Sequence, residues 1–101
     1  MKVYLVISDG GRSVAMTDGR TVKLVGCAPS GMYCGIDLYS DNALSELENF
    51  FLDLHIKGNM MDYEDVYSEE EISYINFLNM CNEFLTVRLV YDSIMGDDID
   101  I

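Results

Sequence analysis

The sequence predicts an α+β domain: an antiparallel sheet made of an N-terminal β-meander of three to four strands plus a C-terminal strand, with two helices packed on one face. Three observations carry that expectation. Two Asp-Gly turns punctuate β-prone runs before residue 28. Apolar residues then recur at helical spacing between residues 40 and 81. Strand-like alternation returns after residue 83. The order β-β-β-(β)-α-α-β separates strands from helices, which favours antiparallel pairing over βαβ crossovers.

The meander reads Lys2 to Ser8, a turn at Asp9-Gly10-Gly11, Arg12 to Thr17, a turn at Asp18-Gly19, and Arg20 to Cys27. Asp-Gly between β-prone runs is a hairpin signal, because the tightest turns need positive φ at both central positions. The two turns (SDGGRS and TDGRT) share chemistry, at a period far too short for a solenoid repeat. Ala28-Pro29-Ser30-Gly31 ends the third run, and Met32 to Tyr39 predicts a fourth strand with Gly35 as a bulge or edge irregularity. Neither GG nor SGMYCG has the spacing of a phosphate-binding loop, so these glycines are turns.

A first helix is expected over Ser40 to Lys57. Ser40 or Asp41 would cap it, Tyr39 and Leu44 would form its hydrophobic staple, and Gly58 would stop it. Leu44, Leu47, Phe50, Phe51 and Leu54 form its apolar stripe, with Glu46, Glu48 and Asp53 outside it. After a connector, Asn59 to Tyr67, Ser68-Glu69-Glu70-Glu71 reads as a capping box and Tyr67 with Ile72 as its staple. The second helix would then bury Tyr74, Ile75, Phe77, Leu78 and Cys81. From Glu83 to Asp92, Leu85, Val87, Leu89 and Tyr91 alternate as in a strand, and Val90 breaks the pattern.

At 101 residues the chain has room for one core, assigned to residues 1–95, with 96–101 as an acidic, frayed tail. No apolar run approaches the roughly 20 residues that span a bilayer, and the N-terminal run is too short for a secretory core. Three cysteines (Cys27, Cys34, Cys81) make no complete disulfide framework, and each is expected to be a small buried hydrophobe. Cytoplasmic residence is the expectation.

The charge carries the functional reading. Residues 1–35 hold four basic and two acidic side chains, a net of +2. Residues 36–101 hold sixteen acidic against two basic (Lys57 and Arg88), a net of −14. The total of −12 argues against direct contact with nucleic acid or an anionic membrane, both of which need Lys and Arg, and steers the chain toward a basic protein surface. Self-repulsion favours a monomer or weak dimer.

Enzyme readings find little support. His55 is the only histidine, and nothing in the spacing brings a cysteine to it for nucleophilic catalysis. Cys27 and Cys34 have no zinc spacing. Asp62, Glu64 and Asp65, or Asp97, Asp98 and Asp100, offer oxygen ligands, but the EF-hand loop fails for want of its glycine and alternating acids. No cofactor, metal or catalysis is expected.

The acids concentrate in DYEDVYSEEE, residues 62–71. Its second half has a local explanation as a helix start; its first half has none. Carboxylates on alternate strand residues, or three to four apart on a helix, sit about 5–7 Å apart. DNA carries one phosphate per about 3.4 Å of axis on each strand, so such an array approximates part of its charge pattern. The expected partner-binding set is therefore Asp62, Glu64, Asp65, Glu69, Glu70 and Glu71, with Tyr63 and Tyr67 as aromatic anchors and Glu46, Glu48 and Asp53 as extensions. The corresponding function is a small inhibitor that competes with DNA or RNA for the basic groove of a nuclease or nucleic-acid-binding protein. In size and charge it is similar in character to phage-encoded anti-restriction and anti-CRISPR inhibitors, with no shared motif. The alternative is an antitoxin, immunity or assembly module that binds through an apolar patch (Met60, Met61, Tyr63, Val66) with an acidic rim.

Overall fold

Every second residue of Lys2–Ser8 is apolar on both counts: Val3, Leu5 and Ile7 on one side, Tyr4 and Val6 on the other. A strand with two apolar faces belongs in the middle of a sheet covered on both sides. The computed structural model, which describes residues 1–9, 11–26, 31–68 and 70–92, places it there. This strand, β1 (Lys2–Ser8), pairs with β2 (Gly11–Thr17), and β2 with β3 (Thr21–Gly26), all antiparallel. The last strand, β7 (Thr86–Asp92), pairs with the other edge of β1. Val90, the residue that breaks the sequence alternation, is the extra residue of a bulge: Tyr91 pairs with Val3 and Leu89 with Tyr4, leaving Val90 between them.

Residues 32–39 do not form one fourth strand. β4 (Met32–Tyr33) and β5 (Ile36–Asp37) pair with each other in a separate two-stranded hairpin. The reason is local: Cys34 and Gly35 both adopt positive φ (48° and 80°), the geometry of a two-residue hairpin turn. Cys34 is accordingly exposed at that turn rather than buried, while Cys81 is half-buried. The Asp18-Gly19 turn closes differently, with positive φ at the glycine alone. Cys27 lies outside the described residues.

The first helix, α1 (Ala43–Lys57), starts three residues later than predicted. Ser40 is used in the preceding turn, its hydroxyl accepting from Asn42 N (3.1 Å) and its carbonyl from Ala43 N (3.1 Å). Asn42 stands at the cap position without a side-chain cap bond. The C-terminus is as expected: Gly58 at φ 70° donates to His55 O (3.1 Å), and Asn59 donates to Leu54 O (2.9 Å), a Schellman motif.

The largest departure follows the connector. Glu70–Ser73 is not the first turn of a helix but a strand, β6, antiparallel to β3 through Thr21↔Ser73, Val22↔Ile72, Lys23↔Glu71 and Leu24↔Glu70. The second helix, α2 (Tyr74–Glu83), begins five residues beyond the expected start, after Ser73, whose hydroxyl accepts from Asn76 N at 3.3 Å. A four-residue strand satisfies the open edge of β3 and places Ile72 beside Val22. The local capping-box chemistry of Ser68–Glu71 offers neither. We expect Ser73→Ala to cost about 1 kcal/mol in urea unfolding and Ser68→Ala to be nearly neutral. Equal losses at both positions would contradict this assignment of the cap.

The five-stranded sheet runs β6-β3-β2-β1-β7. The α+β class and the antiparallel sheet with two helices match the sequence expectation, but the helices divide between the two faces instead of sharing one. Leu47 and Phe51 of α1 join Val3, Leu5, Val14 and Met16 on one face. Phe77 of α2 joins Val6, Ala15 and Val22 on the other. β1 and β2 are apolar on both sides, so a layer on only one would leave Val6, Ala15 and Val22 in water. The α2 stripe is narrower than predicted: Phe77 is buried, Tyr74 and Cys81 are half-buried, and Ile75 and Leu78 are exposed. No helix is long and apolar enough to cross a membrane among the described residues. Glu69 and the acidic tail, 96–101, lie outside them.

Candidate functional site

An acidic turn is anchored on the sheet by one tyrosine and one valine. The connector descends from Gly58, crosses the α1 face, and forms a single 3-10 turn at Tyr63–Asp65. Asp65 N donates to Asp62 O (3.0 Å) and Val66 N to Tyr63 O (3.3 Å). Val66 is 8% exposed and belongs to the α1-side core. The Tyr63 hydroxyl shares a hydrogen bond with Thr21 of β3. Lys23, also on β3, lies over the Tyr63 ring at 4.6 Å and donates from Nζ to the Tyr63 carbonyl at 3.1 Å.

Lys23 is the anchor that sequence reading missed. It stands forty residues from Tyr63, and no local pattern links them. Its register partner on β6 is Glu71, so Lys23, Glu71 and the turn share one face of the sheet. The ammonium is directed to backbone carbonyls, so it offsets part of the turn's charge without pairing with any of its carboxylates. Asp62, Glu64, Asp65, Glu70 and Glu71 are all exposed, and none forms an ion pair among the described residues.

The structure sorts the predicted partner-binding residues into groups. Asp62, Glu64 and Asp65 project from the anchored turn, with Glu71 on the neighbouring strand. Glu70 is next to Glu71 on a strand and so points to the opposite, α2 face. Glu46, Glu48 and Asp53 are exposed on α1, which packs toward β7 and β5, the far side of the sheet from β6. Asp53 is also paired with Lys57 at 2.8 Å. The acids of α1 therefore form a second surface. Tyr63 serves the fold, whereas Tyr67 is 83% exposed and remains an available aromatic anchor.

One acid joins the turn unexpectedly. Asp18, in the β2–β3 turn, lines with Asp62 a shallow cavity of about 340 Å³ floored by Met60, Met61 and Tyr91. Its Oδ1 accepts from Arg20 N (2.8 Å) and Thr21 N (3.0 Å). Those amides, Thr21 first, hold its carboxyl below the ordinary carboxylate value. A depressed folded-state pKa stabilises the fold above the unfolded value near 3.8 and loses that contribution as pH falls through the folded value. The melting-temperature gap between wild type and Asp18→Ala should therefore narrow as the pH falls below about 4. A constant gap would contradict it. Burial is the main cause that pushes the Tyr63 hydroxyl up, with Asp18 and Glu71 adding to it against the Thr21 bond.

The remaining chemistry-bearing side chains stay apart. His55 Nδ1 meets the Tyr91 hydroxyl at 2.7 Å on the α1 face. Cys81 packs on the α2 face, where burial pushes its thiol up. The two lie on opposite sides of the sheet, so they form no nucleophile–base pair. No group of three His, Cys, Asp or Glu is arranged to hold a metal ion among the described residues.

Fold and site together define a small α+β domain carrying a sheet-anchored acidic turn. No family model matches the chain, and no curated protein or solved structure matches it either.

Proposed function

We propose that this protein is a non-catalytic acidic inhibitor that occupies the basic groove of a nuclease or other nucleic-acid-binding protein, with its carboxylates standing where phosphates would lie. The observation that carries this reading is the anchored turn: Asp62, Glu64 and Asp65 are exposed and form no ion pair among the described residues, while Tyr63 and Val66 pin the backbone beneath them. A flexible acidic loop would lose conformational entropy on binding; an anchored one presents its charges already ordered. A charge of −12 adds long-range steering toward a basic partner.

The test is capture of partners from a host lysate at low and at high salt, followed by competition with duplex DNA. Under this reading the complex dissociates as salt rises, and DNA and the protein exclude each other on the partner. A partner that keeps full DNA binding with this protein attached would overturn the mimicry.

A second reading has its own observation. The apolar patch expected at Met60, Met61, Tyr63 and Val66 is packed against the core. Exposed apolar side chains stand elsewhere, on α1 (Leu52 and Ile56) and as a larger group on the α2 side: Ile75 (68%), Leu78, Phe84 (73%) and Leu89. An interaction module that binds through these would hold its partner almost unchanged at high salt, because exposed charge pairs are screened over about 8–10 Å near physiological ionic strength.

A further inference from the structure

Four of the six Lys and Arg residues lie in the first 35 positions, yet the fold carries one of them, Arg12, to a common cavity with Arg88 from the last strand. Arg12 faces Ile7 across the β1–β2 pair and Arg88 faces Leu5 across the β1–β7 pair, so both stand on the α1 face. Between them is a cavity of about 250 Å³ with an apolar floor of Leu5, Ile7, Leu38 and Leu44. It lies farther toward the β1–β2 turn than the acidic turn, and on the β1–β7 side of the sheet.

In a chain with eighteen acids, neither arginine forms an ion pair among the described residues. Arg12 is held in place by the Tyr39 ring, its guanidinium 5.7 Å from the ring centroid. Asp41 stands at the rim, pairs with neither guanidinium, and lowers the local positive potential. We infer that this cavity binds a small amphiphilic carboxylate, its charged group between Arg12 and Arg88 and its apolar body on the leucine–isoleucine floor. Two guanidiniums supply planar, charge-assisted donors suited to a carboxylate. The floor discriminates against a bare inorganic anion, which would leave the half-exposed Ile7 and Leu44 uncovered. The same chemistry is offered by a free short-chain acid and by a peptide's terminal carboxylate.

Amide and arginine side-chain NMR shifts, followed on the full chain during titration with hexanoate, 1-hexanol and inorganic phosphate, test the inference. Hexanoate should saturate and shift Leu38, Leu44 and both arginine Nε–H signals. Hexanol and phosphate should each bind at least about tenfold more weakly. Arg12→Gln with Arg88→Gln should lose at least about tenfold in hexanoate affinity while the melting temperature is retained. Asp41→Asn should tighten it about two- to fivefold. A tripeptide ending in leucine, with a free or an amidated terminus, distinguishes the two sources: tighter binding of the free form than of hexanoate assigns the site to a chain terminus. Hexanol binding as well as hexanoate, phosphate binding as well as hexanoate, undiminished binding by the double variant, or no saturation at all would each overturn the proposal. These outcomes are independent of whether the acidic turn inhibits anything.

Discussion

Reversing Asp62, Glu64 and Asp65 together to lysine is expected to abolish the proposed inhibition while changing the melting temperature by no more than a few degrees. All three side chains are exposed and form no ion pair among the described residues, so reversing them should cost the fold little. The anchors beneath, the Tyr63–Thr21 hydrogen bond and buried Val66, are untouched. Each reversal removes one negative charge and adds one positive, so the formal charge moves from −12 to −6. A protein that merely needs its overall charge for steering would respond equally to any such change. Glu46→Lys, Glu48→Lys and Asp53→Lys together, which also bring the formal charge to −6, therefore serve as the control, because those acids sit on α1, away from β6. The turn variant should lose inhibition and the helix variant should lose mainly association rate. Measured inhibition that survives in the turn variant places the interface elsewhere.

The second large effect is on stability. Phe51→Ala should destabilise the fold by about 3–5 kcal/mol in urea unfolding, a large share of the roughly 5–15 kcal/mol that holds a small domain together. Phe51 is fully buried. Its ring meets Phe50 edge-on at 5.2 Å and lies near-parallel to Tyr33 at 6.3 Å and Tyr91 at 6.2 Å. It thus joins α1 to the β4–β5 hairpin and to β7. The milder pair Phe51→Leu and Phe77→Leu probes the two-sided architecture. These residues belong to separate clusters on opposite faces, so their effects should add to within about 0.5 kcal/mol. Strong non-additivity would mean the two layers communicate through the sheet.

Much of the fold was legible because its signals are local. Asp18-Gly19 made a turn, Gly58 stopped a helix through its left-handed backbone, and the spacing of Leu47 and Phe51 marked the α1 face. Val90, noted in the sequence only as an exception to alternation, became interpretable as a bulge once the β1–β7 register was known. The failures share a cause. Ser68–Glu71 satisfies every local criterion for a helix start, yet Glu70–Ser73 is a strand because β3 offers it a ladder of backbone hydrogen bonds some fifty residues back. Nothing inside a short window reports that open edge. The cap passed to Ser73, a residue with equally good chemistry and no glutamate three positions on.

For the candidate site, the sequence by itself determined the supply of charge: sixteen acids after residue 35, six of them in a run interrupted by two tyrosines. Composition survives any folding, so that conclusion needed no coordinates. The tertiary structure alone decided which of those acids stand together. Lys23 and Thr21 hold Tyr63, the β3–β6 register puts Glu71 beside the turn and Glu70 on the other face, and Asp18 arrives from a different hairpin. These are pairings across forty or more residues, set by sheet register and by burial of Val66. In the sequence, residues 62–71 are one acidic stretch; in the fold they are an anchored turn and an edge strand, and the turn is where the fold holds the charge in order.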